Sequence, residues 1–407
     1  VKKYLSLALL YYLRFFARLQ LKKLRLLNPH LKIVGVTGSA GKTSTILACQ
    51  AALGPKFKIK TTAGSNSESG IPLNILGLKN TDFSPLDWLR LGLLAPFKLL
   101  LDWPRLDIYL IEMGIDSAAS PKNMDYLLSI VRPDIGIFLN VSPVHLQNFS
   151  SLNQIAAEKA KLVNSTPVAI INCADPLVKK YTKNPDAIPL RPVSVNFRRY
   201  LLPDIYQISF GAAITLAQAL GINPKTAAKN IRRHLHLPPG RSSVFKGINR
   251  STIIDSSYNS SPLACAEMLK FLSTFPSPRI AVLGDMREIG ANSSKYHHEI
   301  YQTAIKSADL LISVGPETQK YFNGRGGSRP VPNHQFLYWW QAADYLKCHP
   351  ERSEGSTILI KGSQNTIFLE ELVKELLLNR SDAKHLCRQS PYWLKVKDGF
   401  KKLKIEN

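Results

Sequence analysis

The stretch that most constrains this chain is Gly35-Val36-Thr37-Gly38-Ser39-Ala40-Gly41-Lys42-Thr43. The apolar run Ile33–Thr37 reads as a short buried strand, and Thr43–Leu53 as the helix that follows. Glycines between a strand and a helix let backbone N–H groups turn toward phosphate oxygens. The helix start adds its partial positive charge. In this reading Gly38, Ser39, Ala40, Gly41, Lys42, Thr43 and Ser44 form a phosphate loop. Lys42 neutralises the β- and γ-phosphates, and Thr43 places a hydroxyl on magnesium. The usual spacing puts a glycine five residues before Gly41, where this chain has Val36, so the strand–loop–helix context carries the reading. A plain glycine-rich turn is the alternative.

The same alternation continues along the chain. Asp107–Met113, Asp134–Val141 and Pro167–Asn172 read as strands, and Ser151–Val163 as an amphipathic helix. A Pro-Pro-Gly turn at Pro238–Gly240 interrupts the series. Strands are expected again at Ser251–Asp255, Arg279–Leu283, Leu310–Val314 and Thr357–Ile360. Such alternation predicts helices covering mostly parallel sheets. The expected fold is α/β: a P-loop central domain over 31–237 and a C-terminal Rossmann-like α/β domain over 238–380. A basic amphipathic helix over 1–30 precedes them and a tail over 381–407 follows. The Gly/Pro/Ser-rich stretches Asn323–Asn333 and His349–Ser356 read as surface loops. A length of 407 residues suits two or three domains.

Charge narrows the partners. There are 53 Lys and Arg against 29 Asp and Glu, a formal net charge of +24. Such a field favours nucleotides, nucleic acid or an acidic membrane surface. No nucleic-acid motif is recognisable, and nucleic acid is not expected as a partner. The five cysteines are scattered, with no CxxC pair, so neither a disulfide framework nor a zinc site is indicated and a cytoplasmic protein is expected. Residues 1–27 are basic and apolar. Their uninterrupted apolar stretch is too short to span a bilayer. The segment either lies on an anionic membrane, at its inner face, or packs against the protein.

Further segments, in order, resemble those of the Mur ligases, and in particular the subtype that adds D-alanyl-D-alanine. They are Ala63-Gly-Ser-Asn66-Ser-Glu-Ser-Gly70-Ile-Pro72, Ile111-Glu112-Met113-Gly114, Arg132–Asn140 leading to Val144-His145-Leu146, and Ala156-Ala-Glu-Lys159-Ala-Lys161, closed by Asn172 and Asp175. The second half adds Gly240-Arg241, Ile254-Asp255-Ser256-Ser257-Tyr258-Asn259, Val282-Leu-Gly284-Asp285-Met286-Arg-Glu288 with His297, and Leu359-Ile-Lys361-Gly362-Ser363. The resemblance covers roughly residues 31–380.

It implies an ATP- and Mg²⁺-dependent ligase. A substrate carboxylate takes the γ-phosphoryl group, giving an acyl phosphate and ADP, and an amine then displaces phosphate. The implied substrates are a UDP-linked muropeptide and D-Ala-D-Ala, handled by a monomer. Lys42, Lys159 and His145 carry the catalytic roles, and Thr43, Glu112 and His145 the metal. In many family members the lysine matching Lys159 is carbamylated, which needs a neutral, partly desolvated amine. Arg241, Asp255 and Asn259 join the phosphate loop in holding the nucleotide. Asn66, Tyr258, Asp285, Glu288, Lys361 and Ser363 are the implied substrate contacts, and the second domain is expected to close over the nucleotide.

The chain also departs from the family pattern. About 30 residues precede the first strand, where family members carry a uridine-nucleotide-binding domain. Either the nucleotide is held differently, the sequence is truncated, or the acceptor is another molecule. Tyr206-Gln-Ile-Ser209-Phe-Gly-Ala-Ala replaces a His-Asn…Asn pattern tied to adenine or ribose. Ser256, Ser261 and Gln364 replace an aspartate, an asparagine and an arginine. Two other readings stay open. One is a related ligase for another carboxylate, such as a folate or a non-murein cell-wall peptide. The other is a non-catalytic nucleotide-binding protein at the membrane, which would keep Lys42 but need neither Glu112 nor His145.

Overall fold

The mostly apolar strands Ile108–Glu112 and Leu310–Val314 are buried at every residue, and parallel strands of this kind require cover on both faces. The computed structural model describes all residues except 1, 63–64, 81–83, 144–147, 198–199, 288, 323–330, 364–366 and 407, and the side chains of 2–6 and 402–406. The chain divides into two compact units. One comprises Val1–Asn196 with Ile205–His236, the other Phe197–Asp204 with Leu237–Asn407.

The first unit runs α1 (Lys2–Leu27), β1 (Lys32–Thr37), α2 (Lys42–Leu53), β2 (Ile59–Thr61), α3 (Gly70–Ile75), α4 (Pro85–Leu101), β3 (Ile108–Glu112), α5 (Met124–Ile130), β4 (Ile135–Phe138), α6 (Leu152–Asn164), β5 (Val168–Ile171), α7 (Pro176–Tyr181), β6 (Ile188–Pro189), α8 (Ile205–Ala219) and α9 (Pro224–His234). Its six strands are ordered β2-β3-β1-β4-β5-β6. All their pairings are parallel. Val36 lies opposite both Glu112 and Ile137, so β1 ends between the tips of β3 and β4. Chain reversal of this kind at a sheet's carboxyl edge opens a crevice for ligands. Helix α1 buries Leu13, Ala17, Leu21 and Leu24, one helical stripe, in the core that holds Ile33, Tyr109 and Ile111.

The second unit runs β7 (Ser243–Lys246), β8 (Thr252–Ser256), α10 (Pro262–Leu272), β9 (Arg279–Gly284), α11 (Ser293–Ser307), β10 (Leu310–Val314), α12 (Pro316–Tyr321), β11 (Asn333–Phe336), α13 (Trp339–Cys348), α14 (Pro350–Ser353), β12 (Thr357–Lys361), α15 (Leu369–Leu376) and α16 (Pro391–Glu406). Its sheet is ordered β11-β10-β9-β12-β8-β7. Only β7 pairs antiparallel among the described strands. Separate apolar cores cover its two faces, one built on Ile253, Val282 and Ile358, the other on Ile254, Ala281 and Leu359.

The α/β class and the parallel sheets match the expectation from sequence. Of the expected loop Asn323–Asn333, residues 323–330 lie outside the described residues, and Asn333 opens β11. The expected loop His349–Ser356 carries structure instead: Pro350–Ser353 forms a single helical turn that begins on a proline, whose fixed φ suits a first helical position. The short outer strands β2, β6 and β7 and the helix α4 carried no clear signal in the sequence.

Close approach is decisive at Gly211 in α8. A Cβ there would lie 2.0 Å from the Arg191 carbonyl oxygen and 2.8 Å from its carbon. Both are backbone atoms and cannot simply rotate away. Gly211→Ala should therefore lower the unfolding free energy by about 1–3 kcal/mol. A lower urea midpoint at unchanged m-value would show it. An unchanged or higher midpoint would mean that α8 does not pack there.

Candidate active site

The phosphate loop is held from below by one asparagine. Asn140, just past β4, accepts the Ala40 N–H on Oδ1 at 2.9 Å and donates Nδ2–H to the Ala40 carbonyl at 3.1 Å. Its own carbonyl accepts the Ser39 N–H at 3.1 Å. Ser39 Oγ donates to the Ser142 carbonyl and accepts the Ser142 N–H, at 3.0 and 2.9 Å. Gly41 sits at φ 82°, a left-handed conformation that favours glycine. It starts α2 with no side-chain cap and no acidic residue in the first turn. The helix start at Lys42, Thr43 and Ser44 is thereby left to an anion.

Two lysines converge on this loop. Lys42 Nζ and Lys159 Nζ both donate to the Gly38 carbonyl, at 3.0 and 3.2 Å. Lys159 comes from α6 and is 1% exposed. Its burial, and then the charge of Lys42, hold its pKa well below the usual lysine value, with Asp116 opposing. Two lysine amines thus share one backbone oxygen, and the charge of Lys42 disfavours a second charge on Lys159.

Glu112 ends β3 and is 2% exposed. Oε2 accepts the Thr43 hydroxyl at 2.8 Å, and Oε1 accepts Asn66 Nδ2–H at 2.9 Å. Its backbone N–H donates to Thr62 Oγ1 at 2.8 Å. Thr43 and Glu112, expected as metal ligands, and Asn66, expected as a substrate contact, are thus hydrogen-bonded in one chain. Hydroxyl and carboxylate oxygens are the donors magnesium prefers. No group of three or more His, Cys, Asp or Glu placed to hold a metal ion occurs among the described residues. His145 and Glu288 lie outside the described residues. In the altered segment of α8, Ser209 Oγ accepts the Thr45 hydroxyl at 2.9 Å, tying that helix to α2.

The second unit gathers its own charged residues at the tips of β8 and β12. Asp255 is fully buried. Oδ1 accepts the Ser257 N–H at 3.0 Å, while Oδ2 is buried without a partner. Burial pushes its pKa up to about 6, with the Ser257 hydrogen bonds opposing. Lys361 donates to the Asn259 carbonyl at 2.8 Å, and burial lowers its pKa to about 8. Ser363 donates to the Ser260 carbonyl at 3.3 Å and accepts the Arg287 N–H at 3.1 Å. The Arg241 guanidinium lies 4.6 Å from the Tyr258 ring centroid, and its Nε is buried without a partner. Asp285 accepts the Thr318 N–H at 2.7 Å and so holds the start of α12. His297, quoted from the same motif, accepts the Met286 N–H on Nε2 at 3.0 Å, and burial lowers its pKa.

Sequence reasoning missed Arg388. It pairs with Glu370 through two 2.8 Å bonds and donates to the carbonyls of Ser257 and Tyr258 at 3.0 and 3.2 Å. The tail thus holds the Asp255–Asn259 loop. The nearby Lys397 of α16 bonds Glu371 at 2.9 Å. An isolated arginine in a basic tail carries no signal of such a partner.

Asp255 gives a pH signature. Its folded pKa is raised above its unfolded value, so between about pH 4 and 6 the folded state binds more protons than the unfolded one. Its contribution to stability therefore falls as pH rises through that window. Asp255→Asn should be relatively more stable than the parent at pH 7 than at pH 4, measured by urea unfolding. Equal pH dependence in both proteins would contradict the buried, unpartnered carboxylate.

Comparison with known proteins places this geometry. Residues 36–218 match the Mur ligase middle domain, and residues 240–364 match the Mur ligase glutamate ligase domain. The UDP-N-acetylmuramoyl-tripeptide–D-alanyl-D-alanine ligase of Bacillus subtilis is 25% identical over 88% of this chain and 78% of its own length. The Escherichia coli enzyme of that name is 24% identical over 86% and 77%. The crystal structure of MurF ligase from Thermotoga maritima in complex with ADP superimposes with a TM-score of 0.70 at 22% identity, covering 90% of this chain and 83% of that one. The matched domains span the phosphate loop, Glu112 and Lys159 in the first unit and Asp255 and Lys361 in the second, and the chain belongs to the Mur ligase family.

Proposed function

We propose that the chain is an ATP-dependent amide ligase that joins D-Ala-D-Ala to the free carboxylate of a UDP-N-acetylmuramoyl-tripeptide, as a monomer. The observation that carries this reading is the hydrogen-bonded set Thr43–Glu112–Asn66 beside Lys42 and the buried Lys159. A switch protein would need the phosphate loop alone. A ligase must also bring a substrate carboxylate against the γ-phosphate, and that meeting of anions requires the excess positive charge found here. The named relatives in Bacillus subtilis and Escherichia coli support the choice of acceptor and dipeptide.

In this reading the first-turn N–H groups of α2 and Lys42 hold the phosphate chain. Thr43 and Glu112 would hold Mg²⁺, which supplies charge neutralisation between the phosphates. The substrate carboxylate oxygen bonds the γ-phosphorus and ADP leaves. The amine nitrogen then bonds the activated carbonyl carbon, phosphate leaves, and the amine loses a proton. Burial and the Lys42 charge lower the Lys159 pKa and so favour the uncharged amine that carbamylation by CO2 requires. The amine nitrogen would bond the CO2 carbon and lose a proton, placing an anion beside Lys42. Asp255, Lys361, Ser363 and Arg241 form the proposed nucleotide- and substrate-binding group of the second unit, with Tyr258, Asn259 and Asp285 beside them.

The test supplies the protein with ATP, Mg²⁺, UDP-MurNAc-tripeptide and D-Ala-D-Ala and follows the product by mass spectrometry. The pentapeptide should form with stoichiometric ADP. Lys42→Ala should reduce turnover about 100-fold or more, with an unchanged circular dichroism spectrum. Phosphate release with a different carboxylate, and none with this pair, would overturn the substrate. Near-normal turnover by Lys42→Ala would overturn the site.

A further inference from the structure

Helix α4 buries only Asp87, Leu91 and Ala95 fully. Its opposite face carries Leu86, Leu89, Leu93, Phe97 and Leu100, at 77, 60, 61, 59 and 66% exposure. Their spacing of three and four residues places all five on one stripe. Leu101 and Trp103 extend the stripe at 77 and 58% exposure. A contiguous apolar face of this length marks an interaction surface. At 1.5 Å per residue the helix is about 25 Å long. No helix among the described residues is long and apolar enough to cross a membrane.

Helix α1 lies beside it and fixes the setting. Tyr12 donates its hydroxyl to the Gly92 carbonyl at 3.0 Å, and Lys23 Nζ donates to the Asp102 carbonyl at 2.6 Å. The same Nζ stands 4.3 Å from the Trp103 ring centroid. The outer face of α1 exposes Tyr11, Phe15, Arg18 and Lys22, and with Arg14 and Leu19 these line a shallow cleft of aromatic and cationic groups. Helix α1 has seven Lys and Arg and no acidic residue. The one acidic residue of α4, Asp87, is buried and bonded to Arg90 at 2.5 Å.

We propose that α4 and α1 together form a docking surface for an anionic lipid bilayer. The α4 stripe enters the boundary between headgroups and acyl chains, and Arg18 and Lys22 of α1 face the lipid phosphates. Apolar residues on one helix, the exposed cations Arg18 and Lys22 on its neighbour, and Trp and Tyr at the seam are the pattern of a helix pair lying in the membrane plane. Charge decides between occupants. A second copy would bring the unbalanced cations of two α1 helices together, whereas an anionic surface neutralises them. This inference is independent of the reaction, and α4 has no place in the phosphate site.

Vesicle flotation of the whole chain tests it, using phosphatidylcholine vesicles with and without phosphatidylglycerol. The protein should float with the anionic vesicles roughly tenfold or more better than with the neutral ones, less so as salt rises. The double variant Leu93→Glu, Phe97→Glu should lose that binding roughly tenfold or more, with ATP binding and thermal midpoint unchanged. Arg18→Glu with Lys22→Glu should weaken flotation without touching the α4 stripe. Absence of flotation by the parent, or undiminished flotation by the α4 variant, would overturn the proposal. So would a dimer in sedimentation that Leu93→Glu dissociates, since the stripe would then belong to a second copy.

Discussion

The short chain of hydrogen bonds from Thr43 through Glu112 to Asn66 is what the rest of the site depends on. It joins the first turn of α2, the tip of β3 and the loop before α3, three places far apart in sequence. A hydrogen bond to a charged group is worth about 1.5–3 kcal/mol, and a buried carboxylate without one is far costlier. Glu112, almost wholly buried, is therefore stable only while Thr43 and Asn66 stay where they are. The parallel register that sets Val36 against Glu112 puts the carboxylate at the right depth. Asn140 does the same for the loop from the other side, through three hydrogen bonds to Ser39 and Ala40.

Positive charge is concentrated where anions would meet. Lys42 and the uncapped start of α2 supply it around Gly38 and Gly41 in the first unit, with the buried Lys159 amine beside them. In the second, Lys361 and Arg241 stand near Asp255, whose Oδ2 is buried without a partner and whose pKa is raised by burial. Buried polar atoms without hydrogen bonds are uncommon and call for a ligand, a water or strain as explanation. Arg241 Nε is another such atom, and the two sit at strand tips of the same sheet. The Arg388–Glu370 pair closes the base of this group from the tail, so the C-terminal segment belongs to the second unit's architecture.

Much of this was legible in the sequence where a local rule governs the outcome. Glycines set between a buried strand and a helix gave the loop at Gly38–Thr43. Runs of five or six apolar residues gave the central strands, because strands covered on both faces show no alternation. The residues that escaped notice act over distance. Asn140 was visible only as the end of a motif, and its grip on Ser39 and Ala40 spans a hundred residues. Ser142, Thr62 and Arg388 act through backbone groups, which sequence patterns do not display. The α4 stripe was hidden for another reason. Leu86, Leu93 and Phe97 have the composition of core residues, and only the fold reveals that they face outward.

The central claim, that Thr43 and Glu112 hold a nucleotide-borne divalent cation, is tested most directly by titrating ATP calorimetrically with Mg²⁺ and with EDTA. The parent chain should bind ATP roughly tenfold or more tightly when Mg²⁺ is present. Glu112→Gln, which keeps the shape and the Thr43 contact but loses the charge, should bind ATP equally with and without the metal. An undiminished Mg²⁺ dependence in that variant would contradict the account.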